Sequence, residues 1–473
     1  MDRLNLYEYQ EKYIAKIREV FQEKKHIILC ATTGAGKTVM FSFMTLNAFD
    51  KGKKILILTD RKELFTQTAK TLEKFGLNPS LINPKNKKIE GNLHVGMMQT
   101  LKRRLHLLED FIKDLDIIII DEAHKTIFDE VFKYVSEKTF VVGATATPYR
   151  DGKQDSLELY YNDIVHIIDT PELIELKKLS KCTTYGVPVN LKGIKTKNGD
   201  YDEKSMSDKF SEIKLFHGVI ENYKNICNGK KTLVFASSLE SSIELVDEMV
   251  NNGLNARHVD CYMNNRSDVI EWFKNTDGAI LSNYGILTTG FDEPTIECVI
   301  LYRATKSLPL FLQMVGRGSR KTETKKDFTL LDFGNNVKTH GFWEQERNWD
   351  LKKKEKKEGE APIKECPECN YLVYASIMEC PECGHLFEKS EKEKEDDIFI
   401  KLEKLSPSEM SFKELIIYAK NKGYKDGWIW HQLKTFKDLE AFGKYKNYHK
   451  NWAQKQYENR KQATTRNYNL LQE

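Results

Sequence analysis

In His26-Ile27-Ile28-Leu29-Cys30-Ala31-Thr32-Thr33-Gly34-Ala35-Gly36-Lys37-Thr38, an apolar run feeds a glycine-rich turn, and Val39-Met40-Phe41 then opens a helix. The order is strand, phosphate loop, helix start. Glycines let successive backbone N–H groups turn inward onto phosphate oxygens, and the helix N-terminus adds partial positive charge. Thr33, Gly34, Ala35 and Gly36 make the cradle, Lys37 reaches the β- and γ-phosphates, and the Thr38 hydroxyl takes one position on Mg²⁺. Ala31 stands where the general pattern has its first glycine, so the loop is a variant form. A plain strand-to-helix turn is the duller account, and a second segment argues against it. Asp116-Ile117-Ile118-Ile119-Ile120 is a continuous apolar run of the kind a buried parallel strand shows. It delivers Asp121-Glu122-Ala123-His124 to the edge where open α/β sheets bind ligands. Asp121 suits Mg²⁺ coordination, and Glu122 suits orienting and deprotonating an attacking water. Together the two segments predict an NTPase.

At 473 residues the chain exceeds one ordinary core, which predicts two to four domains. Charged residues make up 30%, yet the net charge is only +4, so any basic surface has to be local. No apolar run of about 18 residues occurs and no signal-peptide core stands at the N-terminus, which predicts a soluble, intracellular protein without a membrane partner. Residues 1–172 read as a first α/β lobe. It opens with a helix from Tyr9 to Phe21, followed by strands at Ile27–Ala31, Lys54–Leu58, Leu93–Val95, Asp116–Ile120 and Phe140–Gly143. Helical periodicity fills Thr38–Asp50, Glu63–Phe75 and Thr100–Ile112 between them. This alternation argues a parallel sheet wrapped by helices. Residues 173–215 read as a linker or exposed hairpin. The alternation resumes over 216–345, a second α/β lobe without a phosphate loop. Charged linkers are expected at 346–362 and 389–403.

The two lobes resemble the tandem RecA-like core of superfamily 2 helicases. Asp121-Glu122-Ala123-His124 spells the DEAH box of one branch. Gly143-Ala144-Thr145-Ala146-Thr147-Pro148 looks like the motif coupling ATP state to nucleic-acid grip. Gln313-Met314-Val315-Gly316-Arg317-Gly318-Ser319-Arg320 looks like the second-lobe arginine motif. Phosphoryl transfer needs positive charge on the γ-phosphate in the transition state. Arg320 is the expected finger, Arg317 its partner, and Gln313 joins them among the catalytic candidates. The resemblance further implies that Gln10 reads adenine, although Tyr7-Glu8 replace the Arg-Pro that relatives often carry before Tyr-Gln. Gly290 and Asp292 are expected near the ribose. Arg61, Gln99, Thr100, Ser237, Thr288 and Thr289 are expected on the nucleic-acid backbone, giving sequence-independent, salt-sensitive binding. Leu287–Asp292, Val315–Arg320 and Leu331–Val337 with His340-Gly341 resemble RadD-like DNA repair helicases and their phage-encoded relatives. That family implies a DNA-stimulated ATPase in a bacterial or phage-infected cytoplasm. Its partners would be single-stranded, forked or duplex DNA and single-strand-binding or other replication and repair proteins. An RNA helicase, the motor of a restriction or defence system, and a non-catalytic scaffold are the rivals.

Nine cysteines are present. Cys30, Cys182, Cys227, Cys261 and Cys298 are scattered and read as small buried hydrophobes. Cys366, Cys369, Cys380 and Cys383 form two Cys-x-x-Cys knuckles within 363–388, a zinc-ribbon pattern expected to bind Zn²⁺ structurally. The module at 404–473 mixes Lys420, Lys422, Lys425, Lys434, Lys444, Lys446, Lys450 and Lys455 with Trp428, Trp430, Tyr445, Tyr448 and Trp452. Two accounts fit it equally, a base-stacking surface and a small helical core.

Overall fold

The computed structural model describes residues 6–84, 89–150, 155–187, 193–197, 200–210, 213–288, 290–352, 362–387, 410–433, 435–449 and 451–459. Thr289, Lys434, Lys450 and most of both charged linkers fall outside them. The chain divides into two units, 1–375 and 376–473, with the boundary inside the cysteine module.

The first lobe runs α1 (Glu8–Val20), β1 (His26–Cys30), α2 (Lys37–Phe49), β2 (Ile55–Thr59), α3 (Lys62–Lys74), β3 (Ser80–Ile82) and β4 (Leu93–Met97). Short helices α4 (Met98–Lys102) and α5 (Glu109–Lys113) lead to β5 (Ile117–Asp121), β6 (Phe140–Thr145), β7 (Asp163–Val165) and α6 (Thr170–Glu175). All seven strands are parallel, in the order β3-β4-β2-β5-β6-β1-β7. Only β6 separates β5 from β1. The carboxylate box and the phosphate loop therefore leave the same edge on either side of Gly143-Ala144-Thr145. Ile118, Ile119 and Ile120 are fully buried, each worth about 2 kcal/mol of transfer free energy. The helix expected over Thr100–Ile112 is broken, because Arg104 leaves the helical region at φ −133°. Separate turns still send Leu101, Leu105 and Ile112 into one core, which satisfies the periodicity that predicted a single helix.

Residues 173–215 hold more than a linker. Lys181–Gly186 forms β8, the outer strand of the second sheet, and its alternation of polar residues with Cys182 and Tyr185 hides it from an apolar-run search. A two-residue hairpin, β9 (Thr196–Lys197) with β10 (Asp200–Tyr201), precedes α7 (Glu203–Phe210) and α8 (Ile213–Ile226). The second lobe continues through β11 (Thr232–Ala236), α9 (Leu239–Asn251), β12 (Ala256–Val259), α10 (Arg266–Asn275), β13 (Ile280–Asn283) and β14 (Cys298–Tyr302). It closes with α11 (Leu308–Val315), β15 (Asp327–Asp332) and α12 (Asn336–His340). Its six strands are parallel in the order β12-β13-β11-β14-β15-β8. Cys261 departs from the expected buried set: it is exposed on the loop after β12.

Beyond α12 the chain returns to the first lobe. Trp343 is buried, and Arg347 donates to the carbonyls of His340, Phe342, Trp343 and Gln345. Trp349 and Leu351 then pack on the first-lobe core, where the Ser156 hydroxyl donates to the Leu351 carbonyl at 2.7 Å. Strands β16 (Ile363–Glu365) and β17 (Leu372–Tyr374) pair antiparallel beside β8, with the Tyr185 and Tyr371 rings 5.5 Å apart. In the second unit, helices α13 (Phe412–Lys422), α14 (Asp426–Gln432) and α15 (Phe436–Tyr445) enclose Leu415, Ile429, Leu439 and Phe442. Trp430 and Trp452 pack on Phe442, so for these two rings the core account holds. Among the described residues no helix is long and apolar enough to cross a membrane.

Gly143 has no room for a side chain: a Cβ there would lie 2.7 Å from both Ala123 and the Tyr161 ring. Gly143→Val should therefore cost about 2 kcal/mol or more by overpacking. Denaturant unfolding read at constant m-value checks this, and an unchanged midpoint would refute it.

Candidate active site and nucleic-acid interface

The phosphate loop takes its shape from two glycines in the left-handed region, Gly34 at φ 90° and Gly36 at φ 84°. Gly36 caps α2. Helix α1 braces the loop with three polar side chains. The Tyr9 hydroxyl and the Gln10 Nε2 both donate to the Ala35 carbonyl, at 3.0 and 3.1 Å, and the Tyr13 hydroxyl donates to Cys30 at 2.7 Å. Gln10 Oε1 accepts from the Tyr7 N–H, so both ends of its amide are engaged. Sequence reading took Tyr9 and Tyr13 as packing residues only, since nothing in an i, i+4 tyrosine pair signals where the hydroxyls point. Lys37 folds back onto the carbonyls of Ala31 and Thr32. Burial lowers its pKa, opposed by the charges of Glu122 and Asp121.

Asp121 ends β5, 4% exposed, and burial together with the neighbouring Glu122 charge pushes its pKa up to about 7. Glu122 sits at φ 55°. Burial opposes its ionisation, but His124 in its protonated form, with Lys37, Lys125 and Arg317, outweighs that and holds it below the usual carboxylate range. Burial drops His124 to about 4, so its imidazole is neutral at pH 7. Its Nδ1 lies 2.8 Å from the Thr145 hydroxyl, which also accepts the Thr147 N–H. The carboxylate box is thus wired to the Ala144-Thr145-Ala146-Thr147 segment of β6 and its exit. Arg150, which no sequence signal singled out, fixes the same corner. It donates to the His124 carbonyl at 2.7 Å and grips Asp129 with both terminal nitrogens.

The second lobe reaches across. Gln313 Nε2 lies 3.3 Å from Glu122 Oε2. A Cβ on Gly316 would meet Thr33 at 2.9 Å, and one on Gly34 would meet Leu179 at 2.8 Å. Arg317 is buried and donates to the carbonyls of Phe291 and Thr288. Burial lowers its pKa to about 9, Arg320 adds to the drop, and Glu122 and Asp292 oppose it. Arg320 instead pairs with Asp292 and donates to Phe291. Of the two arginines, Arg317 is the one lying in the field of Glu122 and Lys37. Thr38 is half-buried at the start of α2, and Gly290 approaches Glu63 so closely that a Cβ would lie 2.8 Å away.

The expected nucleic-acid residues separate into two groups. Arg61, Gln99 and Thr100 leave the carboxyl edge of the first sheet with accessible side chains. Thr288 is largely buried and its carbonyl holds Arg317. Ser237 is fully buried, its hydroxyl 2.9 Å from that of Ser241 inside the cap of α9, so it offers no surface to a backbone. Thr289 is outside the described residues.

The cysteine knuckles repeat one local shape. Asn370 and Gly384, each next after the second cysteine of its knuckle, have φ 60° and 73° and donate to the carbonyls of Cys366 and Cys380 at 2.9 Å. The four Sγ atoms lie within 4.8 Å of one another. Tetrahedral Zn–S bonds of about 2.3 Å fit that spacing and that donor set.

Comparison with known proteins agrees with this geometry. Residues 3–150 match the family described as type III restriction enzyme, res subunit, and residues 214–322 match the helicase conserved C-terminal domain. A 51.5 kDa protein of Lactococcus phage (isolate 7-9) is 30% identical over 353 residues, covering 72% of this chain and 73% of its own. The putative ATP-dependent helicase IRC3 of Saccharomyces cerevisiae is 31% identical over 357 residues. That match covers 69% of this chain and about half, 51%, of the yeast protein. Among solved structures, the type ISP restriction-modification enzyme LlaBIII bound to DNA superposes with TM-score 0.52 at 19% identity. It covers 69% of this chain and 27% of that one, a likeness of fold. Two RecA-like lobes meeting over a phosphate loop and a carboxylate box define an ATP-hydrolysing enzyme of the helicase type. The chain belongs to superfamily 2 of the helicases.

If Gln10 braces the loop, Gln10→Ala removes two buried bonds and should cost about 1 kcal/mol of stability. The same change should lower kcat/KM for ATP. An unaltered denaturation midpoint together with unaltered kinetics would remove Gln10 from the site.

Proposed function

We propose that this protein is a DNA-stimulated ATPase motor that moves on or remodels DNA in replication, repair or recombination. The observation that carries it is the convergence of Gln313 and Arg317, from the second lobe, on Glu122 of the first. A site assembled from both lobes makes turnover depend on how the lobes meet, and nucleic acid held by both lobes would set that. The backbone N–H groups of Thr33 to Gly36 and the Lys37 ammonium would hold the phosphates, with Asp292 at the ribose. Thr38 and Asp121 carry the oxygens suited to Mg²⁺, which would neutralise the β- and γ-phosphates. Glu122, kept ionised by the cations around it, would accept the proton of the attacking water. Arg317 and Arg320 would offset the charge that develops on the transferred phosphoryl group. DNA is favoured over RNA by the RadD-like segments and by the zinc-ribbon pattern. The match of residues 3–150 to a restriction-enzyme family supports a second reading, the motor of a defence system.

ATP hydrolysis by wild type and Glu122→Gln, without nucleic acid and with single-stranded, duplex or forked DNA or RNA, tests the proposal. DNA should stimulate wild type several-fold, and the variant should lose at least about a hundredfold in kcat. Stronger stimulation by RNA would overturn the DNA assignment, and equal rates in both proteins would overturn the catalytic one. The cysteine cluster has its own test. Purified protein should carry one zinc per chain by elemental analysis, and Cys366→Ser or Cys383→Ser should lose it. Wild-type protein without zinc would refute that assignment.

A further inference from the structure

Strands β9 and β10 and helix α7 lie at the second sheet's carboxyl edge. Ser207 on α7 lies 2.7 Å from the Ser238 hydroxyl at the exit of β11. The Tyr284 hydroxyl, after β13, donates to Glu203 at 2.8 Å. After β14, the Thr305 hydroxyl and the Lys306 N–H both donate to Asp200 at 2.7 Å. Three strand exits are thus fastened to one insertion, at the edge where Ser237 was expected to meet nucleic acid and does not.

The insertion's charges are sorted. Asp200 and Glu203 accept those bonds, and Asp202 accepts the Ser205 N–H that starts α7. Lys195, Lys197 and Lys204 are exposed, as is Lys306, which lies over the Tyr201 ring at 5.0 Å. Among the described residues none of these four ammonium groups is in an ion pair, and Glu203 and Asp208 are the exposed acids beside them. A solvated lysine face would be the ordinary account of scattered positive charge. Here two acids of the same short segment, Asp200 and Glu203, are tied by hydrogen bonds to the lobe beneath, whereas the four lysines are exposed with no described carboxylate in ion-pair reach. The second lobe meets the first near here, since Gly290 abuts Glu63 and Arg266 lies 3.7 Å from it.

We propose that the β9–β10 hairpin and α7, with Lys306, form the second lobe's contact with the nucleic-acid backbone, in place of the buried Ser237 and Ser238. This rests on the nucleic-acid motor reading. The insertion would carry phosphates across the second lobe while Arg61 carries them across the first, and the grip would be insensitive to base sequence.

The test compares wild type with the variant carrying Lys195→Ala, Lys197→Ala, Lys204→Ala and Lys306→Ala, binding single-stranded DNA and RNA of equal length between about 50 and 200 mM salt. Each lost phosphate contact should flatten the slope of log K against log salt by about 0.7, so the variant should be shallower by about 2 to 3. The four Lys→Arg changes should restore it, and ATPase without nucleic acid should match wild type in both variants. Wild type that binds with a slope the alanine variant reproduces would overturn this inference and leave the motor reading standing. Wild type that binds neither nucleic acid would overturn both.

Discussion

Lys37, Asp121 and Glu122 are enclosed together where the carboxyl edge of the first sheet meets the second lobe. Unpaired charge in such a place costs several kcal/mol, so a fold that puts these groups there has to compensate each one. The strand order does most of this by placing β5 and β1 on either side of β6, which brings the ammonium and the two carboxylates onto one edge. The supporting contacts follow from the same need. His124 stays neutral rather than adding a competing charge. Arg150 spends its charge on Asp129, away from the carboxylates. Helix α1 fixes the loop carbonyls so that its N–H groups can face inward.

The second lobe answers with a unit of its own. Arg317 holds the carbonyls of Thr288 and Phe291, and Arg320 holds Asp292, so the arginine motif and the Thr288–Asp292 loop cannot move independently. Lys325 reinforces the joint by donating to the carbonyls of Gly318 and Pro294. Burial pulls its pKa down to about 7. A change in what Arg317 or Arg320 touches therefore displaces the backbone of that loop. The arginine motif and this loop are thus joined chiefly through main-chain carbonyls.

Much of this was legible in the residues because the informative signals are local. A glycine turn needing positive φ at Gly34 and Gly36, a run of isoleucines ending in Asp121-Glu122, and paired Cys-x-x-Cys knuckles each state their geometry within a few positions. The alternation of apolar runs with helical periodicity gave both sheets. What escaped depends on partners far away in sequence. β8 is half polar because it is an outer strand, and only its pairing with β15 makes it one. Tyr9, Tyr13 and Arg150 are unremarkable letters until the fold brings a carbonyl or a carboxylate to them. Ser237 failed in the opposite direction. Its place in a motif suggested exposure, whereas Ser241, one turn on in α9, takes its hydroxyl inward.

The return of the chain after α12 sets how far the lobes can separate. Trp343 stays with the second lobe while Trp349 and Leu351 sit on the first, and the intervening residues are drawn into a compact turn by Arg347. Opening the cleft must either unseat Trp349 and Leu351 or break the Arg347 fan. Trp349 and Leu351 are both already partly exposed, so unseating each costs less than the roughly 2 kcal/mol of a fully buried one. Gly341, at φ 81°, lies between α12 and the strap, and a side chain there would collide with Gln345. Arg347 holds the carbonyls of His340 and Phe342 on either side of that glycine, so the backbone is clamped at the point where it turns back from the second lobe toward the first.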